Sequence, residues 1–171
     1  MNIRLCTMTA ALARRYFADF ELDPILFIDK SQYQPYEYST EKSDATVARY
    51  RQLGRIYLAI MLDDEPIGEI ILKQIDYEKK HCTIGISMKS DNYKNRGYGT
   101  QAEILALEHI FEIMQLEHVY ADTILRNARS QHVLRKVGFT EIGRDDTFIY
   151  YRCDKSSWNR PNIAWRANHV F

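Results

Sequence analysis

The 171 residues are enough for one domain with a single core, and 46% hydrophobic with 27% charged residues is ordinary globular composition. Lysine plus arginine equals aspartate plus glutamate at 23 each, so no net field favours nucleic acid or an anionic membrane. Cys6, Cys82 and Cys153 are too scattered for a disulfide framework or a metal cluster, which points to inert thiols in a reducing, cytoplasmic setting. The start lacks the apolar run of a signal peptide, and no stretch approaches the roughly 20 apolar residues of a membrane span.

Residues 2–6 predict a short strand, and 9–18 a helix with Leu12, Arg15, Tyr16 and Asp19 on one crowded side. The segment 19–44 carries seven acidic residues against Lys30 and Lys42, with Pro24, Pro35 and four aromatics after residue 26. It reads as an irregular excursion packed onto the domain by its aromatics. A helix over 44–53 follows, capped near Ser43 or Asp44. From residue 55 the pattern turns to strands: Ile56, Leu58 and Ile60 alternate with Tyr57, Ala59 and Met61, then Pro66 to Ile75 with a bulge at Gly68, then Cys82 to Met88. A long helix over 98–115, a strand over 118–125 and a helix over 128–137 come next, and strands 139–143 and 147–153 close the chain. The order β-α-α-β-β-β-α-β-α-β-β implies one mixed α+β domain over 1–154, a mostly antiparallel sheet of six or seven strands flanked by helices.

The most informative stretch is Lys94-Asn95-Arg96-Gly97-Tyr98-Gly99-Thr100, between a strand and the strongest helical pattern. Glycines at 97 and 99 allow a tight turn with main-chain N–H groups open to a ligand. The helix start downstream adds unpaired N–H groups and partial positive charge, and Lys89, Lys94 and Arg96 add more. Together they predict a pyrophosphate cradle. The GxxxxGK[ST] nucleotide loop and the GxGxxG dinucleotide fingerprint are both absent.

This turn resembles the cofactor loop of the GNAT acetyltransferase superfamily, Gln/Arg-x-x-Gly-x-Gly/Ala, with Lys94 at the Gln/Arg position. A second block agrees: Asn127-Ala128-Arg129-Ser130 and Leu134-Arg135-Lys136-Val137-Gly138-Phe139 look like the family's Asn-x-x-Ser/Ala helix running into Lys-x-Gly-Phe. The wording is most similar to the branch acetylating ribosomal-protein N-termini. The resemblance implies a GNAT-like acyl-CoA N-acyltransferase fold, acetyl-CoA as cofactor, and phosphate donors from Asn95 through Thr100. It also implies a contact from Asn127 to the pantetheine arm, with Ser130 and Arg135 near the cofactor.

The implied reaction is attack of a neutral primary amine on the acetyl thioester, which needs a base for the amine proton. Many family members place a tyrosine seven residues after the conserved Asn as acid; Leu134 stands there. Tyr98, Tyr120, Tyr150 and Tyr151 are substitutes, with Tyr150 taken as the acid candidate. Glu69 and Asp122 are the base candidates. Glu103 and Glu108 are expected on a solvated helix face, and His81, His109 and His118 lack metal-ligand spacing.

A negative, tyrosine-rich 19–44 segment over the acceptor side implies a cationic acceptor, a small-molecule amine or a protein N-terminus. The tail 155–171, with Trp158, Trp165 and Phe171, predicts an ordered contact, packed back or across a homodimer; its mild basicity is thin support for nucleic acid. A non-catalytic acyl-CoA sensor on the same scaffold is the competing reading.

Overall fold

A computed structural model describes residues 3–27 and 29–161. The chain opens with β1 (Ile3–Thr7) and α1 (Ala10–Ala18), the helix capped by the Thr9 hydroxyl, which accepts from the Leu12 N–H. Its buried side is Ala13, Tyr16 and Phe17, rotated from the side expected from the sequence. Two short 3-10 turns, Pro24–Leu26 and Lys30–Gln32, carry the excursion to α2 (Thr40–Gln52). That helix starts a turn earlier than expected, because the Ser39 hydroxyl accepts from the Lys42 N–H at 3.1 Å; Ser43 is buried inside it.

Strands β2 (Ile56–Leu62), β3 (Glu65–Asp76) and β4 (His81–Met88) form an antiparallel meander. Gly68 marks where β3 slips register against β2. A Cβ there would meet the Ser87 carbonyl oxygen and Ile60 Cδ1, both at 2.8 Å, so only glycine lets three strands close up at this point. After β4 come α3 (Tyr98–Glu108), β5 (His118–Ile124), α4 (Ala128–Val137), β6 (Thr140–Arg144) and β7 (Phe148–Asp154). The single helix expected over 98–115 instead passes into a π-helical turn, His109–Ile113.

All seven strands join one sheet in the order β1-β2-β3-β4-β5-β7-β6. Every pairing is antiparallel except β4 with β5, which is parallel and confined to His81–Thr83 against His118–Tyr120. Beyond that short seam the two strands part. Helices α1 and α2 pack on one face, around Tyr16, Phe17, Val47, Tyr57, Ala59 and Met61. Helices α3 and α4 cover the other face, over Leu58, Ile60, Ile70, Leu72 and Ile84. Strand β2 is therefore apolar on both sides, which explains its unbroken run of hydrophobic residues.

The tail packs back as far as it is described. Trp158 Nε1 donates to the Val137 carbonyl at 2.9 Å, and its ring lies 5.4 Å from that of Phe111. Gly138 takes φ +111°, and a Cβ there would meet Trp158 at 2.8 Å. The expectations for Trp165 and Phe171 lie outside the described residues. No helix among the described residues is long and apolar enough to cross a membrane.

Candidate active site

The parting of β4 from β5 opens a cleft through the sheet. Its walls are Ile84–Met88 on one side and Ala121–Ile124 on the other, with α3 and α4 behind. At one end lies the glycine turn. Asn95 and Gly97 both take left-handed backbone conformations, φ +59° and +80°, so the chain coils tightly before α3 begins. Gly97 is the helix N-cap, and the first intrahelical bond runs from the Gln101 N–H to its carbonyl at 3.0 Å. Amides ahead of that bond have no acceptor within the helix and face the concavity that Asn95, Gly97, Gly99 and Thr100 line. Arg129, His132 and Lys136 of α4 line the same concavity at helical spacing i, i+3 and i+7, an arrangement suited to phosphate.

The other basic residues sit differently from the sequence expectation. Lys89 is 4% exposed, and its ammonium donates to Glu65 at 2.9 Å and to the Arg15 carbonyl at 3.0 Å, so it ties β4 to α1. Lys94 does reach the cleft, but its Nζ already sits 2.6 Å from Asp23 and 2.7 Å from Asp91. Arg96 is exposed beside the turn. Arg135 lies outside the cleft, with its guanidinium 5.9 Å from the Tyr151 ring centre. Asn127 and Ser130 both line the cleft, and the Asn127 side chain caps α4 by accepting from the Ser130 N–H at 3.1 Å.

Residues 21–26 form a strap at the cleft mouth. Glu21, Asp23 and Leu26 line it; the Glu21 N–H donates to the Lys89 carbonyl, and Arg126 donates to the Ile25 carbonyl at 2.8 Å. Burial works to raise the Asp23 carboxyl, yet Lys94 and the Ile25 N–H hold it below its usual range. Much of the segment's acidity is thus already paired: Asp23 with Lys94, Asp44 with Arg14, and Asp19 3.6 Å from Lys89.

The three candidate catalytic side chains share the sheet face opposite α3 and α4. Residues of β3, β5 and β7 that pack under those helices alternate with Glu69, Asp122 and Tyr150. Glu69 pairs across to Ser87, a cleft-lining residue, and accepts a 2.5 Å hydrogen bond from the Tyr57 hydroxyl. Burial raises its carboxyl to about 7, with the Tyr57 bond acting in the opposite sense. Tyr16, Tyr36 and Tyr50 surround the same charge, and each is raised by burial and by that carboxylate. Asp122 sits 4.0 Å from Lys73. Tyr150 is directly opposite Asp122, but its hydroxyl donates to Asp145 at 2.5 Å and its side chain is largely exposed. Of the other tyrosines, Tyr98 and Tyr151 are buried in the core.

Glu103 corrects the sequence expectation most sharply. It is 2% exposed, and its Oε2 has no hydrogen-bond partner. Burial alone pushes the carboxyl up to about 8. Glu108 is also withdrawn from solvent, 2.6 Å from Arg160. Glu103 sits within the wholly buried run Ala102–Leu107 of α3, flanked there by apolar residues on every side of the helix. The buried thiols Cys82 and Cys153 are each pushed up to about 12, chiefly by burial, and stay protonated.

A mostly antiparallel sheet opened at one parallel seam, beside a helix-start cradle, is the architecture of an N-acyltransferase. The model of the acetyltransferase (GNAT) domain matches residues 3–140, and the chain belongs to that family. No curated protein sequence matches it. Among solved structures, one described as an acetyltransferase from T. thermophilus superposes at TM-score 0.75 with 22% identity, over 92% of this chain and 88% of that one. A chimera of the spermidine N-acetyltransferase from Vibrio cholerae and hSSAT gives 0.75 and 17%, over 91% and 97%. The ribosomal-protein-S5-alanine acetyltransferase from Vibrio fischeri gives 0.74 and 16%, over 93% and 96%. At these identities the likeness is one of fold.

Proposed function

We propose that this protein is an acetyl-CoA-dependent N-acetyltransferase acting on a primary amine of a cationic small molecule or a protein N-terminus. The observation that carries the reading is Glu69: a carboxyl raised to about 7, one strand from the cleft wall, on the face away from the cofactor helices. A base near neutrality both exists as carboxylate and holds a proton usefully, and this is what an amine needs before it can attack. Spermidine and ribosomal-protein acetyltransferases among the structural neighbours agree with such acceptors.

Acetyl-CoA would supply a thioester: as the C–N bond to the amine forms, the C–S bond breaks, and the CoA thiolate leaves and takes up a proton. The cradle fits its pyrophosphate: Gly97 and Gly99 leave the first-turn amides of α3 uncovered, and Arg129 and Lys136 oppose the phosphate charge. Asn127 and Ser130 orient the arm along the cleft. Glu69 takes the amine proton, its carboxyl held in place by the Tyr57 hydroxyl. Asp122 is the second base candidate and Tyr150 the acid candidate; both share this face, though Lys73 and Asp145 already engage them.

An assay of thiol release from acetyl-CoA with polyamines, aminoglycosides and peptide N-termini tests the reading. Turnover with at least one class is expected, rising with pH through about 7 as Glu69 ionises. CoA binding without turnover on any amine would instead favour the sensor.

A further inference from the structure

Glu103 is an ionisable residue buried where the protein itself offers it nothing. Its neighbours on α3 are Ala102, Ile104, Leu105, Ala106 and Leu107, all buried, and a leucine in its place would leave no polar atom unsatisfied. A buried polar atom without a partner destabilises the fold that holds it, so the folded chain alone does not explain the residue.

Its position does. The part of the cleft that leads from the glycine turn and the part that runs between the parted strands share Leu26, Ile86, Glu103, Asn127 and Ser130. A chain passing from the cradle to the sheet opening must cross this constriction. Glu103 meets it from α3, facing Ile86 of β4 with Asn127 and Ser130 alongside. Its Oε2 is withdrawn from solvent and has no partner within the fold, while the residue itself lines both parts of the cleft.

Resting on the acetyltransferase reading, we propose that Glu103 is a cofactor-binding residue that works as a neutral acid, its carboxyl hydroxyl donating to an amide carbonyl of the acyl-pantetheine arm. A protonated carboxyl is a strong donor, whereas a carboxylate can only accept and would repel that carbonyl. The chemistry of the surroundings keeps it neutral. The charged groups that face the same cleft are Glu21 and Asp23 of the strap, Lys94 of the loop, Asp122 of β5 and Arg129 of α4. Lys94 is held by Asp23 and Asp91, Arg129 lies 3.5 Å from Asp91, and Asp122 lies 4.0 Å from Lys73. None of these contributes to the raised value of Glu103, which comes from burial alone. No cation is therefore placed to ionise it at neutral pH.

Calorimetric titration with acetyl-CoA and no acceptor amine, at pH 6.5 and 9.0, tests the assignment on wild type, Glu103→Gln and Glu103→Leu. One pH unit above a group at about 8 leaves roughly a tenth of it protonated, so wild-type affinity should fall about tenfold between the two conditions. Glu103→Gln keeps a donor that cannot ionise, and should bind within about twofold of wild type at pH 6.5 with the tenfold fall abolished. Glu103→Leu should bind about tenfold more weakly at pH 6.5, lose the pH dependence, and melt no lower than wild type. Equal affinity of Glu103→Leu and wild type at pH 6.5, or the same pH dependence in wild type and Glu103→Gln, overturns the assignment. The glutamine comparison decides the matter even if the leucine variant folds poorly. A wild-type protein that binds no acetyl-CoA at either pH overturns the acetyltransferase reading, and this assignment with it.

Discussion

Glu69 and Glu103 are both largely withdrawn from water, both raised above the ordinary range for glutamate by burial, and placed on opposite sides of the sheet. They differ in what meets them. Glu69 is held by the Tyr57 hydroxyl in a ring of tyrosines; Glu103 has an oxygen with no partner at the narrow part of the cleft. Burial raises the partnered carboxyl to about 7, close to the pH at which the proposed reaction would need a base. The unpartnered one sits near 8 and stays a donor at neutral pH. On the reading proposed above, one fold would make a base on its acceptor face and a neutral acid on its cofactor face, by supplying a hydroxyl to one and withholding it from the other.

Substitutions at the two faces should separate these roles. Glu69→Gln removes the base and should lower kcat about 100- to 1000-fold while leaving acetyl-CoA affinity within about twofold, measured by steady-state rates and calorimetry. Equal losses in both would move Glu69 from chemistry to structure. On the cofactor side, Gly97→Val forces a branched residue into a left-handed conformation at φ +80° and should weaken acetyl-CoA about 100-fold, equivalent to ~3 kcal/mol of strain. Gly99→Ala is its control, since a Cβ there lies 3.8 Å from Ile86 and Met88; it should fold normally and weaken binding less. Tyr57→Phe removes the bond that holds the Glu69 carboxyl down. The rising limb of the rate profile should therefore move to higher pH, with about a three- to tenfold loss of rate at pH 7. The smallest effect is expected at the strap: Asp23→Asn removes one of the two carboxylates that hold Lys94, leaving Asp91, and should tighten acetyl-CoA about threefold, read by calorimetry at low salt.

The two faces also differ in how far the sequence reveals them. The cradle is a contiguous stretch, so its glycines, the helix behind it and the Asn127 cap are readable from local pattern. Lys89 departs from the expectation because its charge is spent on Glu65 and the Arg15 carbonyl, partners 24 and 74 residues away in the chain. Arg135 is expected at the cofactor, although the cleft-facing stripe of α4 is Arg129, His132 and Lys136, whose helical spacing is there to be counted. On the acceptor face, strand order and alternation put Glu69, Asp122 and Tyr150 on one side, but nothing local tells Glu69 from the others. Its distinction comes from Tyr57 on the adjacent strand and from Tyr16, Tyr36 and Tyr50 on three separate elements. Glu103 has the local signature of a solvated helix residue, because a glutamate near a helix start usually is one; its burial follows from β1, β4 and α4 closing over α3.

The parallel seam of only three residue pairs has a mechanical consequence. It joins a four-stranded plate, β1 to β4, to a three-stranded one, β5 to β7 with β6 at its edge. Each plate is internally antiparallel with long ladders, so the seam is the most sparsely hydrogen-bonded line in the sheet. The cleft therefore lies beside the least-paired line of the sheet, and what holds the two plates together behind it is the single core that α3 and α4 share with both.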